Sequence, residues 1–540
     1  MSQPSPTSPV LHNPPPTMGD ECVATVSHDC NSCDQITRRL YFQGLGIVYL
    51  IAFVSLWVQI HGLIGEQGLL PVSRFLKFVH EKLGSSAFQV VPTLFWFGAS
   101  DAMLHLACAL GTAISVCLIA GLAPRIILIA LWIVYLSLTV AGQAFLSFQW
   151  DTLLLETTLC SILYAPRGFW PCWQTATSPL PVARWLLWAL TFKLMFLSGI
   201  TKLLSGDSSW TDGTALQFHY STQPIPNWMS WYAYQLPLGF HQLSLWAMFI
   251  VEVLLPFLVL GGRRGRAVFG LSTIFLMLVI ELTGNFGFFN LLTVVLCIPL
   301  LNDPLLQRCL PRRFNLRQSV EAAVIRSRLR TLCGQGFAAM ILSLSLLTLV
   351  REMVRTQRGD TLPEIVVTTL KWADWGLLSW SESTVLKQIS PYRTINGYGL
   401  FRVMTTRRPE IIVEISDNGE TWTACEFPYK PGRVDRAPPI VAPHMPRLDW
   451  QMWFAALNPR GNSDWLSSLT QRILEGNSTT ARLMGRPELA TQPPKFVRLA
   501  YYEYKFSSPV QKQNNGAWWS RTHNGNLTGP MTRRQEPAGP

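Results

Sequence analysis

Cys333–Val350, CGQGFAAMILSLSLLTLV, is the last long apolar run in this 540-residue chain. At a rise of 1.5 Å per residue it approaches the ~30 Å hydrocarbon core of a bilayer. Arg351, Glu352 and Arg355 follow at once, and the pattern beyond them is no longer that of membrane spans. Upstream, apolar runs recur at Tyr41–Leu63 and at 99–120, 126–147, 152–165, 183–204, 241–260, 266–282 and 286–301. The chain therefore divides at about Val350. About nine spans form a multi-pass α-helical membrane bundle, and a soluble module follows.

Composition agrees with that division. Charged residues make up only 14% of the chain, hydrophobic residues 49%, and the mean hydropathy is +0.22. Soluble domains carry about a quarter charged residues. The 21 Trp suit many membrane–water boundaries. The net charge of +12 points to no nucleic-acid partner, because much of the Arg excess clusters between apolar spans. Such loops face anionic lipid on the cytosolic side. The 11 Cys form no disulfide framework. Five sit in or beside apolar runs, Cys425 stands alone beyond the last span, and Cys30-Asn31-Ser32-Cys33 has no second C-x-x-C to complete a zinc site.

Residues 1–39 are rich in Pro, Ser and Thr and read as a disordered cytosolic tail. The membrane domain occupies 40–350. The run at 152–165 is short for a span. If all nine runs cross, Arg125, Arg167, Arg184, Gly261–Arg266 and the basic stretch from Arg308 to Arg330 fall on the cytosolic side. The Arg-poor turns and everything past the last span then face the lumen. Both N-glycosylation sequons, Asn477-Ser478-Thr479 and Asn526-Leu527-Thr528, lie there. Within 351–510, Leu400–Thr406, Glu410–Ser416, Thr421–Phe427 and Phe496–Phe506 read as strands, with Asp417–Glu420 as a hairpin turn. Leu448–Leu457 and Trp465–Leu474 read as helices. The expectation is a lumenal β-sandwich-like domain with added helices and a polar tail at 511–540.

Ionisable groups in apolar spans are costly and face a bundle interior or a wet cavity. They are Asp101, His105, Asp151, Glu156, Lys193, Lys202, Glu252 and Glu281. Asp101 and His105 are four apart and share a helical face. Lys193 and Lys202 are nine apart and point to opposite faces. They serve either as structural ion pairs between helices or as an intramembrane base with its partner; the structural role is the expectation. No nucleophile elbow, P-loop, dinucleotide fingerprint or zinc quartet is present, so no catalytic, metal or cofactor site is expected.

The stretches Ser198–Lys202 (SGITK), Ser205–Asp207, Trp210 and Phe218–Pro224 (FHYSTQP) resemble the lipase maturation factor family, with Ser221 where the family pattern has Glu. Similar blocks are Gly65–Pro71 (GEQGLLP), Phe148–Glu156 (FQWDTLLLE), Gly284–Leu292 (GNFGFFNLL), Ile395–Phe401 (INGYGLF), Asp449–Ala455 (DWQMWFA) and Trp518-Trp519. The resemblance runs from about 38 to 521. It implies an endoplasmic reticulum membrane protein, not an enzyme and without a cofactor, that assists maturation of secreted, homodimeric lipases. A folding factor recognises incomplete apolar surface, for which aromatic side chains suit. Trp450, Trp453, Phe454, Trp465, Trp518 and Trp519 are the contact residues to examine, along with the aromatic, Pro-rich loop 205–238. The Pro residues there predict an irregular path. The alternative is a membrane-embedded enzyme related to the membrane domain of vitamin K-dependent carboxylase, with Lys193 or Lys202 as base. A transporter fits poorly, since no internal repeat is found.

Overall fold

The computed structural model describes residues 34–166, 168–169, 179–309, 328–357, 364, 368 and 379–533. The N-terminal tail, with Cys30 and Cys33, lies outside the described residues except for its last few positions. Those positions are helical. Helix α1 starts at Gln35 rather than after Arg39, because the Asp303 carboxylate accepts from the backbone N–H groups of Ile36 and Thr37. It caps the free end of the helix from a distant part of the chain.

The membrane part is built from α1 (Gln35–Trp57), α2 (Asp101–Ala120), α3 (Pro124–Ala141), α4 (Gln149–Tyr164), α5 (Pro181–Leu204), α6 (Leu238–Leu260), α7 (Gly262–Thr283), α8 (Phe289–Leu300) and α9 (Arg328–Thr356). Ordinary end signals set several boundaries. The Ser100 hydroxyl accepts from Met103 N at the start of α2, Gly121 closes it in the left-handed region, and Pro124 opens α3.

Seven of the nine helices are long and apolar enough to cross a membrane. The exceptions are α4 and α8, the runs expected at 152–165 and 286–301. With 16 residues, α4 reaches about 24 Å. Its side chains are nearly all buried, Asp151 and Glu156 included, so protein rather than lipid surrounds it. Among the described residues seven helices thus meet the length and apolarity of a span, and the short α4 and α8 run between the same two ends of the bundle, from the side of Arg447 and Val441 to the side where α1 begins.

Close helix contact depends on small residues, since lipid gives apolar helices no incentive to associate. Gly46 of α1 faces Ser115 and Ile119 of α2, and Gly111 of α2 meets the Phe53 ring of α1.

Among the described residues the C-terminal part holds one four-stranded antiparallel sheet in the order β2-β1-β3-β4. The strands are β1 (Arg408–Ser416), β2 (Thr423–Cys425), β3 (Phe496–Phe506) and β4 (Trp519–Asn526). Ile411, Val413 and Ile415 lie opposite Tyr501, Leu499 and Val497. This face packs on helices α10 (Arg447–Leu457) and α11 (Ser463–Leu474). The other face carries Ile412, Tyr504 and Phe506 and packs on Tyr220 and Trp231 of the membrane part. A sandwich would put a second sheet there. Here the loop 205–238 covers the sheet, and β1 is buried along most of its length.

Three other expectations change. Loop 205–238 is not irregular throughout: it contains short helices Ser208–Thr211, Ala215–Thr222 and Trp228–Tyr234, with Pro224 and Pro226 between the last two. Leu400–Thr406 is not a strand, because its polar groups turn to the bundle: Met404 N donates to Asp207, and Arg402 pairs with Glu352. The boundary at 510/511 falls inside a helix, Pro509–Asn515, and β4 lies in the expected tail as an edge strand.

Gly111→Val should lower the thermal midpoint of the detergent-solubilised protein, with overpacking costing about 1–3 kcal/mol. Gly336→Val on α9, where an added Cβ meets nothing within 4 Å, should leave it unchanged. Equal midpoints for the two variants contradict the close α1–α2 packing.

Candidate functional site

The buried charges of the bundle find many of their partners in the C-terminal part. Asp151 near the start of α4 accepts from both terminal nitrogens of Arg447, at 2.5 and 2.8 Å, and from the Tyr135 hydroxyl at 2.5 Å. A guanidinium fits a carboxylate in this two-pronged way, and Arg447 is itself almost wholly enclosed. Burial alone lowers the Arg447 pKa, and Asp151 together with Tyr135 more than offsets this, leaving it raised.

One turn along α4, Glu156 forms an ion pair with Lys193 of α5. Its second oxygen accepts from the Tyr398 hydroxyl at 2.6 Å and from Asn396 N at 3.0 Å. Lys193 also lies 5.4 Å from the centre of the Tyr398 ring. Eight residues beyond Lys193 on the same helix, Thr201 approaches Gly399. Block 395–401 is thus fixed along α4 and α5.

On the loop-facing side of β1, Arg408 donates to the backbone carbonyls of Ser221, Gln223 and Pro224, and pairs with Glu410 at 2.8 Å. Lys430 holds the other Glu410 oxygen at 2.8 Å. Trp453 closes the same joint by donating from Nε1 to Thr222 O at 2.8 Å. Asn285, between α7 and α8, accepts from Val441 N and Ala442 N and donates to Pro439 O. Asp449 accepts from Tyr429 N and Lys430 N, and burial lifts its carboxyl to about 6 despite these bonds.

Lys202 pairs with Glu252 at 2.6 Å and lies over the Trp210 ring. The two lysines therefore serve separate pairs on different helices. Glu281 accepts from Asn290 Nδ2 at 2.6 Å. His219, on a short helix outside the spans, is driven down to about 4 by burial, with the Lys202 charge adding to the effect. Asp101 and His105, though on one helical face, each take a different partner. Asp101 pairs with His61 at 3.5 Å, and His105 accepts from Trp57 Nε1 at 2.6 Å; the His61 ring stacks beside His105.

The aromatic contact set also changes. Trp450, Trp453, Trp465 and Trp519 are buried. Trp450 packs against Phe148, Trp150 and Phe286, while Trp519 stacks on Phe506. Their area is spent within the fold, so they offer no surface to a partner. Trp518 stays half-buried beside Trp231, and Lys512 sits over both rings and over Tyr232. Trp228 and Tyr232 are 39% and 51% exposed, and Val510 is 64% exposed. Together they make an open aromatic and apolar patch where loop 205–238 meets the start of β4. Of the sequons, Asn526 is exposed, whereas Asn477 is half-buried and uses its side-chain oxygen to cap the helix Ser478–Leu483.

Arg408, Arg447, Asn285 and Tyr398 were not singled out from the sequence. One signal pointed toward them. The apolar runs hold Asp101, Asp151, Glu156, Glu252 and Glu281 against Lys193 and Lys202, with Arg184 and Arg266 only at span starts, so further cations must arrive from elsewhere.

If the Asp151–Arg447 pair holds the two parts together, Asp151→Leu or Arg447→Met alone should destabilise the protein by about 3–5 kcal/mol in denaturant titrations. The double variant should recover much of that loss. A double variant as unstable as the sum of the singles would show that the groups do not act as a pair.

Two family models match the chain in tandem. The lipase maturation factor transmembrane domain covers residues 36–308, and the lipase maturation factor C-terminal domain covers 394–529. Lipase maturation factor 2 of Xenopus laevis is 34% identical, over 91% of this chain and 81% of the relative. The human protein of that name is 34% identical over 90% and 81%. Lipase maturation factor 1 of Mus musculus is 31% identical over 92% and 87%. No solved structure matches. The relatives' names denote maturation factors and not an enzyme activity. Both halves match in order, and the blocks around Asp151, Glu156, Tyr398 and Thr222 are the ones that meet at the joint, so the chain belongs to the lipase maturation factor family.

Proposed function

We propose that this protein assists the folding and assembly of secreted lipases from the endoplasmic reticulum membrane, with its N-terminus in the cytosol and its C-terminal part in the lumen. The observation that carries this reading is the tandem match of both halves to the family's two domains, with maturation factors aligned over nine-tenths of the chain. Orientation rests on separate grounds. Both sequons lie beyond the last span, and Arg-rich turns such as Gly261–Arg266 lie on the opposite side. The short helices α4 and α8 run from the side of the C-terminal part, at Asp151 and Asn285, to the side where α1 begins, at Tyr164 and Asp303, so they count as crossings and Gly261–Arg266 stays on the side of the N-terminus.

Homodimeric lipases are the proposed clients. A subunit that has yet to pair exposes its apolar interface, and the Trp228–Tyr232–Trp518 patch offers rigid rings with few rotors to freeze. Lys512 over these rings adds a cation at the centre of the patch. The membrane-enzyme alternative finds no support. The relatives are named for maturation, and Lys193 and Lys202 are both engaged by glutamates.

Removing everything after Val350 is a poor test, because it would strip Arg447 and Tyr398 from Asp151 and Glu156 and leave buried carboxylates behind. Surface changes avoid this. Trp228→Ala, Tyr232→Ala and Trp518→Ala combined should cut the activity of a co-expressed secreted lipase about tenfold or more, at unchanged abundance of the factor. Undiminished lipase activity would reject the patch as the client surface.

Orientation has its own check. Glycosidase treatment of microsomal protein should increase gel mobility, and the shift should vanish in the Asn477→Gln/Asn526→Gln double variant. A wild-type band whose mobility does not change on glycosidase treatment would contradict a lumenal C-terminal part.

A further inference from the structure

Between α5, α6, α7 and α8 lies a cavity of about 140 Å3 that no step of the folding-factor reading uses. Its wall is mostly apolar, with Met195, Met248, Leu276 and Ile280 among the lining side chains. At its polar end are Lys202, Glu252, Trp210 and Asn290. Glu252 sits on a π-helical turn, Ile250–Leu254, a feature often found at functional positions.

Two of these residues are incompletely satisfied. Trp210 and Asn290 are 2% and 3% exposed, yet the Trp210 indole N–H and the Asn290 side-chain oxygen have no hydrogen-bond partner among the described residues. Asn290 commits its amide nitrogen to Glu281. Each such buried group costs about 1–3 kcal/mol. One open donor and one open acceptor lining the same cavity match a ligand head that both accepts and donates.

Charge narrows the choice. Lys202 and Glu252 neutralise each other at 2.6 Å, and Glu281 adds a further carboxylate beside Asn290. The polar end has no surplus positive charge to hold a fatty-acid carboxylate, so an uncharged head is favoured. The half-open side chain Val279 assigns the entrance to the seam between α6 and α7. Ser244 and Met248 line it from one side and Val279, 38% exposed, from the other. Leu243, Trp246, Phe275 and Leu278 on the outer faces of these spans are exposed apolar side chains, as on a lipid-facing surface. A cavity of this size holds a benzene-sized group. A glyceryl head of similar bulk fits, with its chain leaving between the helices into the bilayer.

We propose that this cavity binds an uncharged single-chain acylglycerol from the membrane. Its ester carbonyl accepts from the Trp210 indole N–H, and a glycerol hydroxyl donates to the Asn290 side-chain oxygen. The acyl chain passes between α6 and α7. This site is independent of the client patch, and its failure would leave the maturation reading untouched.

The test uses the full-length protein in phosphatidylcholine vesicles with a photoreactive 1-monooleoylglycerol analogue carrying a diazirine in its chain. Label should map to 244–252 or 272–283, and excess 1-monooleoylglycerol should displace it where equal oleate does not. Trp210→Phe should reduce labelling about fivefold, the loss of one hydrogen bond. Val279→Trp, at an exposed position, should block the entrance without disturbing the fold. No labelling, equal displacement by oleate, or undiminished labelling of Val279→Trp would overturn the proposal; the first outcome would leave water as the partner of Trp210 and Asn290.

Discussion

A carboxylate enclosed in a helical bundle cannot remain charged without a cation, and Asp151 obtains its cation from outside the bundle. Arg447 reaches it from the C-terminal part, binding both oxygens. Isolated burial of either group would cost several kcal/mol. Meeting here, they fix where the soluble part sits on the membrane part. Glu156 repeats the device with Lys193 from its own bundle and Tyr398 from the other side. Arg408 does the reverse, carrying a charge from the sheet to the carbonyls of loop 205–238. The soluble and membrane parts are thus one packed structure. The short helix α4 is its centre: its 16 residues run from Asp151, beside Arg447, to Tyr164, beside Arg38 of α1, with protein rather than lipid around them.

That arrangement explains which features were legible in the sequence. Long apolar runs gave the spans, since each is a local property of composition. The alternation from Phe496 to Phe506 gave β3, and Asp417–Glu420 gave the turn between β1 and β2. By contrast, β4 has the sequence WSRTHNGN and is exposed along nearly all its length. An edge strand exposed in this way carries no alternating pattern to read. Leu400–Thr406 does alternate, but its backbone and side chains bond to the bundle, which local pattern cannot reveal.

The functional residues were partly visible for a similar reason. Asp151, Glu156, Lys193 and Lys202 stood out because charge in an apolar run is rare. Their partners did not, since Arg447 and Tyr398 look ordinary in a soluble segment. The tryptophans misled in the opposite direction. Trp450 and Trp519 suggested contact surface, but a large ring is as useful in a core. The side chains left open, Trp228 and Tyr232, belong to a loop whose short helices the prolines concealed.

If the two parts fold as one unit, their backbone amides must lose protection together. Hydrogen exchange of the full-length protein in detergent, followed by mass spectrometry through a denaturant series, measures this directly. The account predicts that peptides from Gln149–Tyr164 and Arg447–Leu457 open with the same free energy and the same denaturant dependence. Exchange of Arg447–Leu457 at low denaturant, while Gln149–Tyr164 stays protected, would contradict it.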